Sequence, residues 1–214
     1  MTDKILQKLS EKYKLDAIDV GEFAKLKANG MTFSVEAYTA HGLGHVSVMK
    51  AKGFFGLMKM DTLMIVPNEK DLPLYSYDRI FAMGNDTLIV ELYDTMLSAP
   101  DLSALDVAKD RYAHLEERDP GEHWYDSIKL AQSISKKGKK QHTAQLDALA
   151  LSHFDAYLNA DANFVDDTAK KVEKSAVYVN GLLEKGGPST DVFKKELGED
   201  KTAKLFRAVL FGVG

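Results

Sequence analysis

Two acids, Asp61 and Asp78, stand at the ends of one stretch, DTLMIVPNEKDLPLYSYD, whose pattern is that of a β-hairpin. Met60 to Val66 is apolar and rich in β-formers, Pro67 to Pro73 carries turn residues, and Leu74 to Ala82 reads as a second strand. Side chains on adjacent strands lie within roughly 5–8 Å of one another when the register is favourable, so the two carboxyls are predicted to share a pocket. Carboxyls that close titrate as a coupled pair, which is proton-exchange chemistry. Aspartate is depleted from strands, and Asp78 falls inside one, on the face that carries Leu74, Ser76 and Ile80. The plainer alternative is a solvated strand residue that pairs with Arg79 or a nearby lysine.

The elements around this hairpin continue its strand pattern. Thr32 to Ala40 alternates cleanly, His45 to Lys52 reads as the next strand, and Gly53 with Gly56 marks the turn into the strand bearing Asp61. Gly84-Asn85-Asp86 joins the Asp78 strand to Thr87–Asp94, where Leu88, Val90 and Leu92 share a face. Five strands with short connections predict an antiparallel meander. The first thirty residues are predicted to be helical, with Ile5, Leu6 and Leu9 as the apolar stripe and a second short turn near Phe23 and Leu26 that ends at Asn29-Gly30. Asp101–Leu115 reads as a helix and Trp124–Ser135 as a less regular sixth strand.

Beyond Gly138 the period changes. Leu146, Leu149, His153 and Tyr157 recur at helical spacing, as do Val172, Ala176, Val179 and Leu183. Gly186-Gly187-Pro188 breaks that helix, Thr190–Leu197 starts a shorter one closed by Gly198, and Lys201–Leu210 forms a last one. A strand-rich first half and a helical second half predict the α+β class, as a three-layer α/β/α sandwich with a central antiparallel sheet, in a single domain over residues 1–214.

Composition narrows the chemistry. An apolar share of 45% and a charged share of 28% in 214 residues are those of a soluble globular protein. No window approaches a membrane span and the first residues are charged throughout, so a cytoplasmic protein is expected. Cysteine is absent, which excludes disulfides, thiolate nucleophiles, cysteine-held zinc and cysteine-bound iron–sulfur clusters. Redox work would then draw its electrons from elsewhere. The net charge of −4 gives no whole-chain attraction to nucleic acid. Lysines still cluster at Lys136, Lys137, Lys139 and Lys140 and at Lys50, Lys52 and Lys59, as solvated faces or as docking sites for an acidic protein. Gly42-Leu43-Gly44 is followed by Ser47 where a dinucleotide fingerprint needs glycine, and phosphate-loop, zincin and hydrolase-elbow motifs are absent. His41 and His45 read as loop or strand histidines rather than metal ligands, and His153 as a core histidine.

Three segments carry a resemblance. Asp61–Asp78 with its Asp71-Leu72-Pro73 triplet, Val192–Gly198 followed by Val209-Leu210-Phe211, and more weakly Trp124 through Asp126 lie in one order between about Thr32 and Phe211. Together they resemble the ferredoxin-dependent bilin reductases and, further off, the red chlorophyll catabolite reductases. The resemblance implies the sandwich fold and a linear tetrapyrrole, a biliverdin-like bilin, bound between the sheet and the C-terminal helices. It also implies reduction through radicals by single electrons from an external ferredoxin or flavodoxin, protons from the protein, and no metal or organic cofactor held by the chain. Ferredoxin, itself acidic, would dock on a lysine-rich face.

Residue by residue, Asp78 falls on the family's proton-donating aspartate. Such an acid must hold a proton near neutrality, whereas a free aspartate has a pKa of about 4. Desolvation beneath the pigment and a second carboxylate, assigned to Asp61, both raise it. The family usually has histidine or asparagine where Asp61 stands, and a further family aspartate aligns with Gly187. Loss of that acid implies a single two-electron reduction, altered regiochemistry or no bilin chemistry. The pocket wall is expected to include Leu63, Ser76, His45 and Ser47 from the strands and Leu183 and Gly187 from the helical side. A tetrapyrrole-binding protein that does not reduce its ligand is the alternative.

Overall fold

Helix α1 (Thr2–Lys12) is amphipathic and buries Ile5 and Leu9. Two short strands follow, β1 (Leu15–Ile18) and β2 (Lys25–Ala28), and both pair antiparallel with the long strand β3 (Met31–Ala40). The computed structural model describes the backbone of residues 1–214 and all side chains except that of Pro188. The expected helical start therefore ends at Lys12. Leu26 and Ala28 are buried while Lys25 and Lys27 are exposed, which is a strand period, and Asn29 and Gly30 both have positive φ, 47° and 73°. Asn-Gly in that conformation is a favoured two-residue hairpin turn rather than a helix end.

The meander continues as predicted through β4 (Gly44–Gly53), β5 (Met58–Pro67), β6 (Leu74–Ala82) and β7 (Asn85–Tyr93). Helix α2 (Ser103–Asp110) is shorter than the expected Asp101–Leu115, whose last residues form turns. The sixth strand of the sequence reading is displaced. Trp124 to Ser133 is turn and short 3-10 structure, and pairing begins at β8 (Ile134–Lys139), beside β7. Along β8 Ile134, Lys136 and Gly138 are buried and the intervening residues are not. Lys136 tolerates its site because its Nζ donates to Leu115 O at 3.0 Å and pairs with Glu117 at 2.5 Å. The sheet has eight strands in all.

The helices that follow are α3 (Thr143–Leu158), α4 (Thr168–Lys185), α5 (Pro188–Leu197) and α6 (Glu199–Lys204), which runs on as a π-helical segment, Leu205–Leu210. They complete two separate cores. One joins α1, α2 and α3 to Val46, Val48, Leu63, Ile65, Tyr75, Tyr77, Leu88 and Val90. The other joins α4, α5 and the C-terminal segment to Phe33, Val35, Met49, Met64, Leu74 and Tyr93. Helices on both faces of an antiparallel sheet give the α/β/α sandwich that the period change predicts.

An ion-pair clamp sets α4 on the sheet. Lys171 is fully buried, with its Nζ 3.1 Å from Asp71 Oδ1, 2.7 Å from Leu72 O and 2.8 Å from Thr95 O. Asp71 also accepts from the N–H groups of Leu97 at 2.8 Å and Ser98 at 2.7 Å. Burial works against the Asp71 charge, but the Ser98 and Leu97 donors and Lys171 hold its carboxyl below the usual range. The Asp71-Leu72-Pro73 triplet thus fastens the β5–β6 loop to α4. Breaking a buried pair by removing one partner costs about 3–5 kcal/mol. Asp71→Ala is expected to lose that much, read as a lower urea midpoint with an unchanged m-value.

Candidate active site

Strand alternation sends one set of side chains from the central strands toward α4–α6. Met60, Thr62 and Met64 of β5, Ser76, Asp78 and Ile80 of β6, and Ile89, Glu91 and Tyr93 of β7 floor a cleft of about 240 Å³. Tyr178 and Leu182 of α4, Gly187, Thr190, Phe206, Leu210 and Phe211 roof it, and Arg118, Pro120, His123 and Tyr125 close one side. Mostly apolar and aromatic walls with a few polar groups are the make-up of a small-molecule site.

Asp78 lies mid-floor. Its cross-strand partners are Thr62 on β5 and Ile89 on β7, and the Thr62 hydroxyl donates to its Oδ1 at 2.5 Å. Protein encloses the carboxyl on all sides but the cleft. Desolvation pushes the Asp78 pKa up to about 6, opposed by the Thr62 hydrogen bond and assisted by the charge of Glu91.

Asp61 is not the second acid of this site. The register pairs Asp61 with Arg79 and Thr62 with Asp78. Consecutive strand residues face opposite ways, so a displacement of one residue moves a side chain to the other face. Asp61 therefore lies on the α1 side, where its Oδ2 is 3.6 Å from the Met1 amino group. Leu63 shares that face and is buried in the α1–α3 core, away from the cleft.

Glu91 supplies the neighbouring carboxylate instead. It is the cross-strand partner of Ser76 and so sits diagonally from Asp78. Tyr93 Oη donates to Glu91 Oε2 at 2.6 Å, and Lys129 Nζ lies 3.8 Å from Oε1. Its signal was present in the sequence: with Leu88, Val90 and Leu92 on one face of β7, Ile89 and Glu91 must occupy the other.

The remaining expected residues divide. Ser76 and Gly187 line the cleft. His45 and Ser47 lie on the correct face of β4 but are engaged by the C-terminal segment. The His45 ring nitrogen Nε2 donates to Val209 O at 2.8 Å and Ser47 Oγ to Leu210 O at 2.7 Å. Burial holds the His45 pKa below its usual value, against the Val209 hydrogen bond. These two residues anchor the roof and do not line the cavity. Leu183 is buried in the same core, but Leu182 is the leucine that reaches the cleft. With 3.6 residues per turn, neighbours on a helix point about 100° apart.

Aromatic rings wall the cleft. Tyr93 stacks on Tyr178 with centroids 4.1 Å apart, and Tyr125 packs edge-on to the two at 5.5 and 5.9 Å. Burial raises the pKa of all three hydroxyls above the ordinary tyrosine value, so they stay protonated. Trp124 Nε1 donates to Gly186 O at 3.0 Å, and a Cβ at Gly181 would come within 2.2 Å of the Trp124 ring. Glycine there lets α4 close onto the indole, and the indole in turn ties down the turn before Gly187. Trp124 and Tyr125 fall within one of the three resembling segments, whereas Tyr93 and Tyr178 carry no signal in sequence, because the rings converge from separate elements.

The Asp78 pKa has a consequence for stability. The group titrates at about 6 when folded and at 3.8 when unfolded. The folded state binds the extra proton between those values, so its stabilising effect is full below the unfolded pKa and is lost as pH rises through the folded one. Asp78→Asn is expected to be more stable than the parent near pH 8, by at most about 3 kcal/mol, with the difference gone by about pH 4. Guanidinium unfolding at the two pH values measures it. Glu91→Gln is expected to lower the Asp78 pKa, followed by carboxyl ¹³C NMR titration.

No protein-family model matches this chain, and no curated protein matches it in sequence. Among solved structures it is similar to the crystal structure of phytochromobilin synthase from tomato in complex with biliverdin. The TM-score is 0.75 at 14% sequence identity, over 99% of this chain and 82% of that one. The chain therefore shares, over nearly its whole length, the fold of a protein crystallised with biliverdin.

Proposed function

We propose that this protein reduces a linear tetrapyrrole of the biliverdin type by alternating electron and proton transfers, with Asp78 as the proton donor. The observation that carries the reading is an acid with a pKa of about 6 at the centre of an aromatic-walled cleft. It is supported by the fold shared with biliverdin-bound phytochromobilin synthase, a ferredoxin-dependent bilin reductase. Electrons come one at a time from an external ferredoxin or flavodoxin in the cytoplasm, and the chain holds no metal or organic cofactor of its own.

A flat conjugated pigment on the floor covers Asp78 and reduces its remaining contact with solvent, which raises the pKa further. The first electron makes the pigment radical more basic, and Asp78 gives it a proton. Neutralising the radical removes the charge that would drive the electron back. The Thr62 hydroxyl, already donating to Oδ1, stabilises the carboxylate left behind. After Asp78 is reprotonated from water, a second electron and proton saturate one double bond. Arg118 at the side of the cleft offers a guanidinium to the pigment's carboxylates. Gly187 lines the cleft and brings no acid, so the reading is a single two-electron reduction rather than two.

The donor docks at the β8 edge. Lys136 is withdrawn from the lysine cluster by burial, and Lys137 is 3.1 Å from Glu116. Lys137, Lys139 and Lys140 remain on the surface, the first two beside Arg118 of the cleft. An acidic donor held there would be released by salt.

Anaerobic titration with biliverdin is expected to shift the pigment's visible bands, and addition of a reduced ferredoxin system to convert it to a blue-shifted product. In Asp78→Asn the dissociation constant should stay within a few-fold while turnover falls by about 10²–10⁴. Turnover in the parent should also decline as pH rises through the Asp78 pKa. Binding without conversion by the parent would assign the protein as a tetrapyrrole carrier, and unchanged turnover in Asp78→Asn would remove it as the proton donor.

A further inference from the structure

Two turns meet at one end of the sheet. Phe54-Phe55-Gly56-Leu57 joins β4 to β5 and Met83-Gly84 joins β6 to β7, and the pairing of Met58 with Ala82 sets the turns side by side. The Met83 N–H donates to Leu57 O at 3.4 Å. Phe55 is fully exposed, and Phe54, Leu57 and Met83 are 51%, 68% and 84% exposed. Phe81, at the base, is exposed as well. Among the described residues the other large exposed apolar side chains, Val107, Phe164 and Val177, lie elsewhere on separate elements.

The tip is unfavourable twice over for a protein in water alone. Its apolar side chains leave half or more of their surface in water, and Phe54, Phe55 and Met83 all adopt the left-handed region, at φ 51°, 56° and 48°. Bulky residues are outliers there, where glycine or asparagine would sit without strain. A contiguous apolar patch of this kind marks an interaction site.

The charges beside it identify the partner. Lys52 and Lys59 are direct cross-strand neighbours, and Lys27 lies in the same row across Thr32. Like charges set opposite each other repel. Among the described residues these three lysines have no ion-pair partner, whereas Lys50 is taken by Asp3. The acids nearby are occupied: Asp86 by Arg79, Asp61 by the Met1 amino group, and Glu196 by the N–H of Asn29. Aromatic and aliphatic side chains projecting beyond a rim of free lysines suit the headgroup region of an anionic bilayer. A stable protein interface draws on about 20–30 residues a side, far more than two turn tips present.

We propose that this tip is a docking site for anionic phospholipid surfaces, with Phe54, Phe55, Leu57 and Met83 entering the interface and Lys27, Lys52 and Lys59 meeting lipid phosphates. The strands that carry the tip are those that floor the cleft, and Met60 and Ile80 lie two residues inward from Met58 and Ala82. A protein so docked would meet apolar ligands that partition into lipid. The inference does not rest on tetrapyrrole reduction, because its test contains no pigment.

Co-sedimentation with phosphatidylcholine vesicles, with and without phosphatidylglycerol, tests it. Binding is expected to the anionic vesicles, to weaken with salt, and to fall at least about tenfold in Phe55→Asn/Met83→Asn, which removes two large apolar contacts. Asparagine accepts the left-handed conformation, so the melting temperature of that variant should not drop. Lys52→Glu/Lys59→Glu should lose anionic binding with the tip intact. The proposal is overturned if the parent ignores both vesicles, if it binds neutral and anionic vesicles alike, or if the tip variant binds as the parent does. A concentration-dependent dimer abolished by the tip variant would equally overturn it, in favour of a second copy of the chain.

Discussion

The orientation of Asp78 is enforced by the arginine beside it. Along β6 the side chains of Tyr75, Tyr77 and Arg79 enter the α1–α3 side while Ser76, Asp78 and Ile80 enter the cleft. Arg79 is fully buried, with its Nε 2.5 Å from Asp86 Oδ1 and its Nη2 3.3 Å from Asp147 Oδ1. The Thr143 hydroxyl donates to Asp86 Oδ2 at 2.6 Å, which joins the pair to the start of α3. A register slip of one residue would turn Arg79 into the cleft and strand Asp86 in the core without its partner. An uncompensated buried charge costs several kcal/mol, so the ion pair on one face fixes where the acid points on the other.

The acidity of Asp78 then depends on what covers it. Three separate fastenings hold the roof. Lys171 and Asp71 clamp α4 near its start, Trp124 closes onto Gly181 and Gly186 near its end, and His45 with Ser47 takes the carbonyls of Val209 and Leu210. The last fastening closes the end of the π-helical segment. Val209 and Leu210 are its last two residues, so their carbonyls have no partner within the helix, and β4 supplies a donor for each. Loosening any of the three would admit water over Asp78 and return its pKa toward that of a free aspartate.

Most of the architecture was legible because it rests on period alone. The meander from β3 to β7, the helical second half and the sandwich all follow from alternation and helical spacing, which survive small errors at element ends. The site was legible only in part, because it rests on register. Asp78 could be placed on one face of its own strand, but whether it faced Asp61 or Thr62 depended on the length of the loop between them, and one residue decided it. Ser76 follows from the face it shares with Asp78, and Gly187 from its alignment with a family aspartate under the resemblance. Leu63, His45, Ser47 and Leu183 were misplaced by one strand position, by a backbone partner or by one step of helix rotation. Lys25–Ala28 lies in the stretch expected to be helical, although its alternation and the Asn29-Gly30 turn spell a hairpin.

The exchange of Asp61 for Thr62 beside Asp78 also changes what the site can do. Two carboxyls in contact would share protons and titrate in two coupled steps. A threonine hydroxyl has no proton to give within any accessible pH range, so Asp78 stands as a single acid, with Glu91 acting on it diagonally from the next strand. On the proposed reading a two-electron reduction needs two protons, and a single acid supplies them only if it is recharged between electrons. The one-electron stage must then last long enough for water to reach Asp78 past the pigment. A donor that delivers single electrons in separate encounters provides that interval, and one that delivers both together does not.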